Sequence, residues 1–331
     1  MPSWHRLAMR VFLLSCLMGV FAREASAIIL YGGTLGRNLD TPSGAIQDSG
    51  AQYEGSWSVG VGTPISPHYF LTAAHLGGNP NGGDTFVLHG VNYTTVGFTD
   101  DPNGSDLRLV QVAQAFTSYA PLYLGGDEFS AKKTAVVFGR GTARGDVVNG
   151  PNGPAGYLWG AQDGLMSYGV SQISFDTIFN NGDGTGSGPR GQFIGGDFST
   201  RPNPLGGPSM TFSAGDSGGG VFIKDVDGIW KLAAVNYAVD GPFSYTQNGT
   251  YFNAAIYDAR GFYVGSSVNN IFIPNGTDQV NASWFSTRVF DKAGFIQTVT
   301  GVPEPTSIGL MALGSCGLGF LLRKRGRNRV C

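Results

Sequence analysis

Thr211-Phe-Ser-Ala-Gly-Asp-Ser217-Gly-Gly-Gly-Val-Phe222 sets one serine between Gly215-Asp216 and Gly218-Gly219, followed by an apolar run that reads as a strand. A serine hydroxyl is a weak nucleophile at neutral pH. Chemistry at Ser217 therefore needs a neighbouring base and a group that stabilises the oxygen anion formed on a carbonyl. Glycines serve the second need, because they let backbone N–H groups of a tight turn converge on one point without a side chain in the way. A glycine-rich loop holding a serine by chance is the competing reading, since glycine supplies 53 of the 331 residues.

Partners for Ser217 lie upstream. Trp57 to Ala74 alternates apolar residues through a turn at Ser66-Pro67 and ends in Leu71-Thr72-Ala73-Ala74-His75. Of the four histidines, His5 sits in the amino-terminal segment, and His68 and His89 lack the flanking Leu-Thr-Ala-Ala pattern, which leaves His75 as the candidate base. Asp84 to Thr99 reads as a hairpin, and Asp106 heads the alternating strand Leu107-Arg-Leu-Val-Gln-Val112. Asp100 and Asp101 compete with Asp106, but they occupy a turn with no strand directly behind them. Asp106 is the preferred partner for His75.

Composition agrees with a strand-rich chain. Hydrophobic residues make up 41% and charged residues 13%, and the many Gly, Asn, Thr and aromatic residues point to short strands joined by turns. The body from Ile28 to Gly301 holds 13 Lys and Arg against 21 Asp and Glu, a net of −8, which argues against nucleic acid as a partner. Cys16, Cys316 and Cys331 all lie in terminal segments, so the body has neither a disulfide nor a thiolate metal site.

Gly-Asp-Ser-Gly-Gly at 215–219, the Thr-Ala-Ala-His motif at 72–75 and Asp106, in the order His, Asp, Ser, resemble the trypsin/chymotrypsin-like serine peptidases. The resemblance implies an all-β fold of two six-stranded antiparallel barrels, the active site in the groove between them, and a short C-terminal helix. Barrel one would span about 28–119 and barrel two about 120–301, the latter opening with the strand at Thr134 to Thr142 and closing with Phe285 to Thr300. It further implies His75 as general base, Asp106 as its orienting partner, Ser217 as nucleophile, and the N–H groups of Gly215 and Ser217 as the oxyanion site. No cofactor and no metal are required. Asn236, Tyr237 and Ala238 match the strand that pairs with a bound peptide in relatives. Thr211 stands where cation-selecting relatives carry an aspartate, which implies a pocket for small or medium uncharged side chains. Gly150 to Pro154 and Asn180 to Gly191 read as loops near the cleft; within the second, Asn181 to Thr185 resembles a calcium loop but lacks its later glutamate. Val239 to Trp284 is longer than in compact relatives.

The ends read as addresses. Residues 1–27 combine Arg6 and Arg10, an apolar run from Val11 to Ala22 and Ala25-Ser-Ala27, the layout of a secretory signal cut by signal peptidase. Cleavage there frees Ile28, and the family resemblance implies that a freed apolar terminus folds inward and pairs with Asp216. At 302–329, Val302-Pro-Glu-Pro305 precedes an apolar run at 308–322 and an Arg-rich cluster. This resembles the PEP-CTERM sorting tail of Gram-negative bacteria, which implies transient contact with the inner membrane, removal by an exosortase, and delivery to the cell surface or extracellular matrix. The expected function is a secreted or cell-surface serine endopeptidase acting on protein or peptide; the alternative is a catalytically idle surface or matrix protein on the same fold.

Overall fold

The computed structural model describes residues 28–32, 36–179, 191–266 and 269–301. The expected secretory signal at 1–27, the loop resembling a calcium site and the sorting tail with its apolar run lie outside those residues. After β1 (Ile29–Leu30), six strands form a closed antiparallel barrel: β2 (Gly55–Trp57), β3 (Gly60–Ser66), β4 (Tyr69–Ala73), β5 (Thr85–Leu88), β6 (Val91–Asp100) and β7 (Leu107–Val112). Alternation along these strands sends Trp57, Phe70, Phe86, Tyr93 and Val110 inward, where Phe70 and Phe86 stack at 4.2 Å between ring centroids. The ring closes through β2 and β5, so this half has no open edge.

The second half continues with β8 (Thr134–Gly139), β9 (Thr142–Gly150), β10 (Gly153–Gln162), β11 (Ser167–Gln172), β12 (Phe175–Phe179), β13 (Gly191–Asp197), β14 (Met210–Thr211), β15 (Gly220–Lys224) and β16 (Trp230–Val239). Then come β17 (Phe243–Ser244), β18 (Ala254–Ile256), β19 (Tyr263–Ser266), β20 (Asn269–Phe272), β21 (Ser283–Arg288) and helix α1 (Ala293–Thr300). Here the expectation of a second six-stranded barrel meets a different arrangement. Seven strands make one sheet in the order β11-β8-β15-β16-β21-β13-β12, and among the described residues its two outer strands are not hydrogen-bonded to each other. The hairpin β9–β10 and strand β18 form a separate three-stranded sheet, so Gly150 to Pro154 is a tight hairpin turn rather than a long loop. The lengthened segment after Val239 supplies β18 to that sheet and forms a second three-stranded sheet, β17-β19-β20, packed through Phe243 and Phe262.

Ile28 and Leu30 pack in the core of the second half with Val137, Val221 and Trp284, so the amino-terminal residues belong to that half rather than to the barrel that follows them. One apolar cluster crosses the seam between the halves, joining Ile65, Leu71 and Leu109 to Phe138, Phe222 and Leu232. The cleft walls are therefore parts of one packed body.

Glu54 lies inside this seam. The Thr63 hydroxyl donates to its Oε1 at 2.8 Å and the Gly220 N–H to its Oε2 at 3.2 Å, and no cation pairs with it among the described residues. Burial pushes its pKa up to about 8. Between the ordinary glutamate range and that value the folded chain keeps a proton that the unfolded chain has released. Stability should therefore fall as pH rises across the window, by at most ~1.4 kcal/mol per pH unit. Glu54→Gln should flatten this loss, measured as urea midpoints at about pH 5 and about pH 8; equal slopes in the two proteins would contradict the assignment.

Candidate active site

Strands β4 and β7 pair with Ala73 opposite Leu107, so the residues just past those ends, His75 and Asp106, meet across the ladder. His75 sits in a single 3₁₀ turn, Ala74–Leu76, tied down by the Ala74 N–H on the Asp106 carbonyl at 3.1 Å. The Asp106 carboxylate accepts the His75 backbone N–H at 2.9 Å and contacts Nδ1 at 2.7 Å. An ionised carboxylate can only accept, so Nδ1 carries the hydrogen and Nε2 faces the Ser217 Oγ, 2.8 Å away, with its lone pair. Asp106 is 5% exposed and His75 is 41% exposed, so one end of this relay is dry and the other opens to the cleft. The competing carboxylates are occupied: Asp100 pairs with Arg108, and Asp101 with Lys292 at 3.0 Å.

Asp216 organises the turn that presents Ser217. Its buried carboxylate accepts the N–H groups of Ser213 at 2.7 Å, Gly141 at 2.8 Å and Ile28 at 3.3 Å. Burial pushes its pKa up to about 6, against the pull of these hydrogen bonds. Val61 N–H holds the Ser217 carbonyl at 2.9 Å, which fastens the turn to the barrel. Among the described residues, the N–H groups of Gly215 and Ser217 donate to no protein acceptor. Gly215 has φ +95°, a backbone conformation that favours glycine. Gly219 is demanded by space instead, since a Cβ there would stand 2.1 Å from the Phe138 carbonyl oxygen.

Beside Ser217 opens a cavity of about 270 Å³ lined by Phe212, Tyr237, Ala238, Trp159 and Ala254 among others. Tyr237 also lies edge-on to His75, with ring centroids 6.0 Å apart. Two residues expected to touch substrate sit elsewhere. Thr211 is buried in β14, opposite Ile29, and Phe212 takes the cavity position. Asn236 is buried behind the turn, where its Nδ2 donates to the carbonyls of Phe138 at 2.7 Å and Asp216 at 3.0 Å. Asp240 lines the cavity too. Its carboxylate accepts the Ser283 N–H at 2.8 Å, and burial raises its pKa. Sequence reading missed Trp159 and Ala254, which arrive from separate strands with no local motif.

The chain carries a PEP-CTERM protein-sorting motif. The match covers residues 301–325, and such a motif indicates an exported, envelope-associated protein processed at its C-terminus by an exosortase. Among the described residues no helix is long and apolar enough to cross a membrane. No curated protein matches the sequence. Among solved structures, a mutant of human heparin-binding protein is similar at 15% identity with a TM-score of 0.47, over 82% of this chain and 99% of its own.

Gly219→Ala should destabilise the fold by about 2–4 kcal/mol, because strands β8 and β15 cannot part without breaking their ladder. The shift of the denaturant midpoint measures this, and an unchanged midpoint would contradict the close approach.

Proposed function

We propose that this protein is a serine endopeptidase. The observation that carries the reading is the unbroken hydrogen-bonded line Asp106–His75–Ser217, beside a turn with two unengaged N–H groups. In this scheme His75 Nε2 takes the hydroxyl proton as Ser217 Oγ bonds to the carbonyl carbon of the scissile peptide. Asp106 holds the tautomer and stabilises the imidazolium. The N–H groups of Gly215 and Ser217 receive the developing oxyanion. His75 then gives its proton to the departing amine, and water repeats the sequence in reverse on the acyl-enzyme. The apolar lining of the neighbouring cavity favours an uncharged side chain next to the cleaved bond, and pairing of the substrate backbone beside Tyr237 and Ala238 would hold it in extended form.

Export and activation are linked in this account. Signal peptidase cutting after Ala27 turns the Ile28 N–H into an ammonium group next to the Asp216 carboxylate, replacing a neutral hydrogen bond with a buried ion pair. Ile28 has φ +40°, which a β-branched residue avoids, and that torsion exists only while residue 27 is attached. Cleavage thus removes strain and adds charge pairing at one point. The sorting tail would then be cut by an exosortase after transient anchoring at the inner membrane, leaving the enzyme at the surface of a Gram-negative cell.

Cleavage of a peptide library by residues 28–301 should be lost in a folded Ser217→Ala variant, since removing a nucleophile typically costs several powers of ten in rate. Unchanged cleavage by that variant, or an inert wild type, would overturn the reading and leave an idle surface protein. Adding one residue ahead of Ile28 should lower kcat/KM by at least ~100-fold through loss of the buried ion pair that supports the oxyanion turn; full activity in the extended protein would remove the activation step alone.

A further inference from the structure

Resting on that reading, we infer that Gln162 is a positioning residue for the oxyanion turn. Ala214 and Gly215 form the one part of the turn without anchors. Among the described residues neither makes a backbone hydrogen bond, whereas Ser213 and Asp216 on either side are bonded to each other and to Gly141 and Thr142. A peptide unit so placed can rotate, and rotation would turn the Gly215 N–H out of the cleft and the Ala214 carbonyl toward the position of the oxyanion.

What faces this peptide is the carboxamide of Gln162. A Cβ on Gly215 would come within 2.2 Å of its Nε2, so the amide lies directly against the Gly215 α-carbon. Gln162 is the last residue of β10, opposite Thr142 on β9, and its Nε2 donates to the Val59 carbonyl at 3.2 Å. Val59 belongs to the tight turn between β2 and β3, and that turn is held from the second half a second time, by Arg140 Nη1 on the Gly60 carbonyl at 3.2 Å. The Gln162 side chain thus reaches from the second half to the barrel, with its carboxamide pressed on the loose peptide. Rotation of the 214–215 unit would have to displace it and break its bond to Val59. The glutamine acts through Gly215 and touches neither nucleophile nor base in this arrangement.

Positioning of this kind is felt in the transition state and little in ground-state binding. Gln162→Ala should lower kcat for a peptide amide by about tenfold to a hundredfold while KM stays within about twofold. A peptide boronate, which forms a tetrahedral adduct on Ser217 and places an oxygen at the oxyanion site, should lose affinity by the same factor as kcat/KM. Gln162→Glu keeps the length but has no donor for the Val59 carbonyl, and should fall at least as far. If both variants bind the boronate and turn over like the wild type, or if the loss appears in KM alone, the inference is wrong while the peptidase reading stands. If the wild type itself neither cleaves peptide nor binds the boronate, the peptidase reading fails and takes this role with it.

Discussion

The carboxylate of Asp216 is the point on which the rest of this structure depends. It has no exposure to solvent, and its ligands come from three distant parts of the chain: Ser213 in the turn itself, Gly141 at the head of the β9–β10 hairpin, and Ile28 at the start of the described residues. An acceptor-only group in a dry interior must be surrounded by donors, so the fold converges on it. Ser217 is the next residue along. Its direction toward His75 is a consequence of how its neighbour is satisfied, and the same donors leave the N–H groups of Gly215 and Ser217 without an acceptor among the described residues.

The other half of the geometry comes from the barrel. His75 and Asp106 meet because β4 and β7 are paired in a register that sets them past the ends of the ladder, and a closed barrel allows little slippage of that register. The shared apolar cluster at the seam, with Glu54 bonded to strands on both sides, then fixes the distance between the histidine and the serine. Gly218 and Gly219 belong to this joint as much as to the chemistry, because their N–H groups bond the carbonyls of Asn236 and Asp216 and their missing side chains make room for Val61 and Phe138.

Much of this could be read from the chain before any coordinates. His75, Asp106 and Ser217 each stand in a local pattern, a small-residue stretch, a strand head and a glycine turn, and local patterns survive in sequence. Asp100 and Asp101 are set aside by their partners Arg108 and Lys292 and not by lying together in a turn, since Asp100 ends β6. What could not be read was anything made by packing between remote segments. Asn236 was expected at the substrate and instead supports the nucleophile turn from behind. Thr211 was expected in the pocket, yet one residue of register in a two-residue strand turns it toward Ile29 and gives the position to Phe212. Trp159 and Gln162 reach the cleft from the β9–β10 hairpin and Ala254 from β18, in stretches whose sequence carries no chemical signal. The second sheet, with seven strands where six in a ring were expected, shows the same limit, since closure depends on which edges meet.

The account's central claim is that the Ser217 hydroxyl is activated by its contact with His75. Treatment of the chain beginning at Ile28 with a fluorophosphonate, followed by mass mapping of the modified peptide, tests it most directly. A single adduct should form on Ser217, and it should be lost in a folded His75→Ala variant. An adduct spread over several hydroxyls, or none on Ser217 at any pH, would contradict it.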